Sequence, residues 1–353
     1  METDALVVGA GPIGLFTVFQ LGLQGIAAQV VDVLEHAGGQ CVELYADKPI
    51  YDIPALPVCT GQQLTDRLLQ QIRPFAPQFH FGQQVSTLQR QADGRWLVQT
   101  TRQHRVQQTF LTRTLVIAAG VGAFVPRELK IDGLADFEGR QLHYRLDPAA
   151  RFAGRRVVVF GGEDAAVAAA IALARPGTQQ AAQVTLVHRR DVLQADATGL
   201  AELTALRLAG RVHFVAGQIS GIDRSGTAPD DRLVALALDT PDGNTLTLPL
   251  DDLLACTGIS PKLGPLTDWG LAMERKQLTV NPATFATSEC GIYAVGDIVH
   301  YPGKKKLIVS GFHEATLAAF AVTAQLHPEQ SQVLQYTTSS ALLQRRLGVS
   351  VQG

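Results

Sequence analysis

Six residues near the N-terminus, Gly9-Ala10-Gly11-Pro12-Ile13-Gly14, have the spacing of a loop that receives a pyrophosphate. Gly9 permits a tight turn, Gly11 lets backbone approach the phosphates, and Gly14 lets the next helix pack on the strand. That helix, with Pro12 and Ile13 in the loop that leads into it, presents unpaired N–H groups and partial positive charge. Asp32 ends the following strand, where it can accept hydrogen bonds from the adenosine ribose hydroxyls. Gly296-Asp297 follows a strand and precedes a helix, a place where a carboxylate can hold the ribityl chain of FAD. With the glycine loop and Asp32 also present, FAD is the dinucleotide expected.

A second glycine loop, Gly161-Gly162-Glu163-Asp164-Ala165-Ala166, follows a buried strand at 156–160. The next strand, 184–187, ends in His188-Arg189-Arg190, and arginines there suit the 2′-phosphate of NADPH. Gly161, Gly162, His188, Arg189 and Arg190 are therefore the expected nicotinamide-nucleotide contacts. The four cysteines, Cys41, Cys59, Cys256 and Cys290, include no CxxC pair, which argues against a zinc knuckle and a redox-active dithiol. No metal site is expected.

The elements that must position these loops form a repeat at domain scale. A strand at 6–8, a helix from about Leu15 to Leu23 stopped at Gly25, and a strand at 29–32 make one βαβ start. An antiparallel meander is expected over 85–117, with Asp93-Gly94 as a hairpin signal. The second βαβ start is followed by a second meander over 212–256, and a last helix begins near Ser310-Gly311. Chain crossings fall near 118–122 and 256–260. The expected fold is α/β: two Rossmann-like dinucleotide-binding domains of the three-layer ββα type. The FAD domain is discontinuous, 1–117 and 257–353, and the NAD(P)H domain, 118–256, is inserted into it.

The 353 residues, 46% of them hydrophobic, are enough to bury two cores, and the formal net charge of −2 points to neither nucleic acid nor an anionic membrane. No run approaches the ~18 apolar residues of a membrane helix, and no signal peptide precedes the first strand, so a cytoplasmic location is expected.

Several segments resemble the thioredoxin-reductase-like ferredoxin–NADP+ reductases, the type 2 family. They are Gly38-Gly39-Gln40-Cys41, the run from Leu44-Tyr45 to Asp52-Ile53, and Gly120 to Pro126. Leu142-His143-Tyr144 and the stretch from Gly296-Asp297 through Tyr301-Pro302-Gly303-Lys304 to Ser310-Gly311-Phe312 belong with them. The likeness runs from residue 4 to about 340. It implies a homodimer with FAD in each chain, hydride passing from NADPH to flavin, and single electrons passing on to ferredoxin or flavodoxin. It implies FAD contacts at Asp32, Gln40, Val85, Phe124 and Asp297. Tyr45 would stack on one face of the flavin, Tyr336 on the other, and Thr338 would lie close to the ring. The residues alone stop sooner, at FAD, a second nucleotide site and no dithiol.

Departures from that pattern matter. The family has close to Gly-Gly-Gly-Asp-Ser-Ala at the second loop, so Glu163 replaces a glycine that should meet the pyrophosphate. Like charges ~4 Å apart cost roughly 1 to 4 kcal/mol, one to three orders of magnitude in affinity. A further arginine of the family is Gln194 here, and its Thr-Ala-Gly is Ala118-Ala119-Gly120. The run Lys304-Lys305-Lys306 is more basic than usual; the expectation is a surface lysine run with no partner, and the alternative is that an acidic ferredoxin docks on it. Flavin chemistry needs no acid–base side chain. The expected activity is ferredoxin–NADP+ reduction; the alternatives are an NAD(P)H oxidase-type flavoprotein and a flavin-binding redox sensor with weak NADPH turnover.

Overall fold

The computed structural model describes residues 1–353 except 103–104, 147–148, 178–179, 228–229, 330–332 and 350–353, and leaves out the side chains of Phe124 and Ala149. The chain divides into two compact units, 1–124 with 261–353, and 125–260.

In the first unit, strand Glu2–Val8 pairs in parallel with Ala28–Val31 and with the end of Arg105–Ile117. Gln78–His80 extends the sheet beyond Ala28–Val31. The long strand Arg105–Ile117 does two jobs. Its other edge takes the antiparallel strand Trp96–Arg102 first and the parallel strand Ile292–Ala294 after it. The expected meander over 85–117 is thus only partly antiparallel, because residues 111–117 pair in parallel with strand Glu2–Val8, and 114–117 are buried on both faces. Leu6, Leu15, Leu21, Leu115 and Ile117 are fully buried in this core.

Helix Pro12–Leu23 begins three residues earlier than Leu15, with Gly11 as its N-cap and Pro12 at the first position, where a missing N–H costs nothing. Gly25, at φ +81°, follows its end and donates its N–H to Gly22 at 2.9 Å. The last long helix, Ile308–Leu326, lies against Pro12–Leu23, and Gly311 makes the close approach possible. A Cβ there would lie 2.5 Å from Ile13 Cδ1.

The second unit has a parallel sheet in the order Leu142–His143, Asp252–Ala255, Arg156–Phe160, Gln183–His188, Val212–Ala216. Helices Asp164–Ala174 and Ala197–Leu208 cover it. A separate antiparallel sheet holds Gln218–Ser225, Arg232–Asp239 and Thr245–Pro249. The second meander is therefore shorter than 212–256. Val212–Ala216 and Asp252–Ala255 are parallel strands, in register as Val184↔Val212 and Phe160↔Ala255. Both units are α/β with Rossmann-like parallel sheets. Among the described residues no helix is long and apolar enough to cross a membrane.

Candidate active site

The first glycine loop leaves strand Glu2–Val8 at its C-terminal end, beside a cavity of about 290 Å3, near the lower end of ligand-pocket sizes. Gly9, at φ +109°, lies against Ala118, where a Cβ would meet the carbonyl oxygen at 2.4 Å. A Cβ on Gly14 would lie 1.8 Å from the Gly9 oxygen, so this glycine serves the helix–strand contact and does not line the cavity. Gly11 differs: the nearest atom to its missing Cβ is Gly39 Cα, at 3.9 Å. Two glycine backbones face each other there across the cavity, a cradle that side chains would fill.

Asp32 is 8% exposed and accepts the N–H of Ala10 at 2.5 Å and that of Leu34 at 2.8 Å. Each carboxylate oxygen thus holds one backbone amide and keeps lone pairs for a ligand hydroxyl. Burial nevertheless pushes its pKa up, against the two amide bonds. Across the cavity the Gln40 amide donates to Asp297 at 3.3 Å. Tyr45 lines the same space, and Cys41 Sγ donates to its hydroxyl at 3.5 Å. Burial raises the pKa of both the phenol and the thiol, so both are protonated at neutral pH.

The cavity brings together Gly9, Gly11, Pro12, Ile13, Asp32, Gln40, Tyr45, Val85 and Asp297. Phe124 sits in strand Ala123–Pro126, with its side chain outside the described residues. Tyr336 and Thr338 are not among the lining residues. Their segment leads into helix Ala341–Arg346, whose Arg346 donates to Leu23 O at the C-terminal end of Pro12–Leu23. The cavity lies at the other end of that helix, about 18 Å away at 1.5 Å per residue. Tyr336 is 63% exposed.

Sequence reasoning missed Glu314, the most consequential support of the Asp297 wall. Its carboxylate is fully buried and accepts Gly296 N–H at 2.7 Å, Tyr301 OH at 2.9 Å and Lys304 Nζ. Burial, with Glu314 accepting its proton, pushes the Tyr301 phenol up to about 12. Lys304 is therefore a buried ion-pair partner, neither the partnerless surface lysine expected from its run nor a docking lysine. Ion pairing to a buried acid outweighs its exposure to water.

In the second unit, Gly161 and Gly162 leave strand Arg156–Phe160, and the His188 ring rests on Gly162. A Cβ there would lie 2.6 Å from the ring, whose Nδ1 is 2.9 Å from Arg190 O. Glu163 is exposed at the N-cap of Asp164–Ala174 with an extended backbone, so the chain conformation does not demand glycine. Gln194 donates its N–H to Gly162 O at 2.7 Å, which holds its segment over the loop. Arg189 and Arg190 are exposed, and among the described residues no acid pairs with either.

Comparison with known proteins gives the same picture at the level of the whole chain. It is 57% identical over 356 aligned residues to a ferredoxin–NADP reductase of Paracidovorax citrulli, covering 100% of this chain and 98% of that one. It is 51% identical to ferredoxin–NADP reductase 2 of Cupriavidus taiwanensis, covering 99% and 91%. Among solved structures, a thioredoxin reductase from T. acidophilum shares the fold, with TM-score 0.55, 19% identity and 92% and 99% coverage. So does a bacillithiol disulfide reductase from Staphylococcus aureus, with TM-score 0.59, 16% identity and 94% and 100% coverage. With the pyridine nucleotide-disulphide oxidoreductase model matching residues 3–324, the chain belongs to that family.

Proposed function

We propose that this chain is an FAD-dependent ferredoxin–NADP+ reductase, taking hydride from NADPH and delivering single electrons to ferredoxin or flavodoxin. The observation that carries the reading is the cavity walled by Gly11, Gly39, Asp32 and Asp297 in a chain 57% identical, end to end, to a ferredoxin–NADP reductase. Bound flavin supplies the conversion of a two-electron donor into single-electron steps. The chain's own residues bind and orient. Gly11 and the N-terminal amides of Pro12–Leu23 would take the pyrophosphate, Asp32 the ribose, and Asp297, held by Gln40, the ribityl chain. Tyr45 would lie against the ring as a neutral phenol. Arg189 and Arg190 would take the 2′-phosphate of NADPH.

The reading includes a homodimer. Tyr336 and Thr338 are exposed and do not line their own chain's cavity, so a second copy would have to bring Tyr336 to the flavin. One observation favours weak NADPH turnover as a second reading: the exposed Glu163 beside the second glycine loop. Stopped-flow mixing with NADPH and then NADH, followed by ferredoxin, tests both. Bleaching of a flavin spectrum and its recovery on ferredoxin addition support the reductase. Bleaching slower than about one per minute by both nucleotides would support the sensor instead. Sedimentation at micromolar concentration tests the dimer.

A further inference from the structure

We propose that Arg275, Lys276, Lys305 and Lys306 form the docking surface for an acidic one-electron carrier protein, which deepens the reductase reading and rests on it. Strands Met273–Glu274 and Gln277–Thr279 are joined by a two-residue turn, with Glu274 paired to Gln277. Arg275 and Lys276 fill that turn at φ +48° and +65°. Such turns ordinarily carry Asn and Gly, because other L residues rarely adopt this backbone. Here two long cations are held in it, exposed. Strained conformations of this kind cluster at functional sites.

The turn is tied to the cavity. Gln277, the residue after it, donates its amide to Asp297 O at 3.1 Å and to Val299 O at 2.8 Å. Lys306 lines the same cavity as Asp297, and Lys305 precedes it, both exposed. The four cations therefore sit on the two segments that border the Asp297 wall. Among the described residues none of the four is ion-paired. Glu274, the acid next to the turn, lies 3.2 Å from His300. Lys304 is excluded, since Glu314 holds it inside. The whole chain carries a net charge of −2, so this is a local reversal of sign and not a consequence of bulk charge. Local potentials of this kind steer an oppositely charged partner and make its capture depend on salt.

The test compares wild type with Arg275→Asn/Lys276→Gly, which removes both charges and gives the turn its preferred residues, and with Lys305→Glu. Each is assayed with NADPH and a plant-type [2Fe–2S] ferredoxin over a range of ionic strength, and with menadione, a neutral acceptor, as control. The expected result is a ferredoxin KM raised about tenfold at low salt and a flattened salt dependence. Menadione rates should stay within about twofold of wild type, and Lys305→Arg should behave as wild type. Unchanged ferredoxin KM and salt dependence in both variants would overturn the docking surface while leaving the reductase reading intact. An equal loss with menadione would overturn it too, as a structural effect. If wild type reduces menadione but no ferredoxin, the reductase reading fails and the docking surface falls with it.

Discussion

Glu314 Oε2 accepts the backbone N–H of Gly296 at 2.7 Å from inside helix Ile308–Leu326. Gly296 holds φ +84° and carries Asp297 on its C-terminal side, so the buried carboxylate fixes the peptide that aims Asp297 into the cavity. Lys304 neutralises the same carboxylate. Removing one partner of a buried pair strands the other charge, at a cost of about 3–5 kcal/mol. Glu314→Ala should therefore lower the melting temperature and yield protein with less bound flavin. Glu314→Gln, which can still accept from Gly296, should lose less flavin than the alanine variant. The ratio of flavin to protein absorbance and thermal unfolding measure both; a Glu314→Ala protein that matches wild type in each rules the support out.

The four thiols differ in access. Cys41 and Cys59 are buried, Cys256 is half-buried with its thiol pushed up to about 11 by burial, and Cys290 is exposed. Only the thiolate reacts, so Cys256 should stay silent near pH 8 and gain reactivity as the pH rises toward 11. A disulfide reagent at pH 8 should label Cys290 alone, and Cys290→Ser should abolish that labelling. NADPH–menadione turnover should survive the labelling. A loss beyond about tenfold with flavin retained would place a cysteine in the chemistry, contrary to the absence of a CxxC pair.

The first βαβ unit was legible because its glycines each answer a local demand: a left-handed turn at Gly9, a bare cradle at Gly11, helix contact at Gly14. The direction of Val212–Ala216 and Asp252–Ala255 was not, since a short apolar run looks the same in a parallel sheet and in a meander. Only their long-range partners, His188 and Phe160, decide it. Glu314 did leave a signal. It shares the buried helix face with Gly311, Ala315, Ala318 and Val322, and an acid among such residues must have a partner. The inward turn of Lys304 is the counterpart of that signal and could not be seen in a run of three lysines. Where Tyr336 sits depends on the docking of Arg346 at Leu23, which no local pattern announces.

The second unit should carry an acid-sensitive contact at Asp251. Arg156 bonds to its carboxylate through Nη2 at 2.8 Å and through the backbone N–H at 2.9 Å, and holds its pKa down to about 2. Unfolded, the carboxyl should titrate near ~3.9. The pair therefore stabilises fully above about pH 4 and is lost as the pH falls toward about 2. The Asp251 side chain is 32% exposed, so screening leaves about 1 kcal/mol of this at neutral pH. Asp251→Asn should be less stable to urea than wild type by that amount at pH 7, and the gap should close as the pH falls through about 2. A gap that stays constant across this range would show that the pair does not titrate as its geometry requires.

On the proposed reading, Glu163 and the two arginines of the second unit would act on different parts of the nucleotide, so their effects should separate. Glu163 stands at the N-cap of Asp164–Ala174, beside the loop that would hold the pyrophosphate shared by NADH and NADPH. Its penalty should be nearly equal for both. Glu163→Gly should tighten both by a similar factor, up to one to three orders of magnitude if the carboxylate comes within ~4 Å of a phosphate. Its extended backbone tolerates either residue, and glycine is an acceptable N-cap, so stability should change by only a few tenths of a kcal/mol. Arg189 and Arg190 are proposed to take the 2′-phosphate, which NADPH alone carries. Arg189→Ala or Arg190→Ala should weaken NADPH by roughly 1–3 kcal/mol and leave NADH nearly unchanged. Titration of each variant with both nucleotides at fixed ionic strength gives four constants per pair. If Glu163→Gly tightens neither nucleotide, its carboxylate points away from the phosphates. If neither arginine change moves the NADPH-to-NADH ratio, the basic turn is a solvated surface, and NADPH selectivity resides elsewhere in the unit.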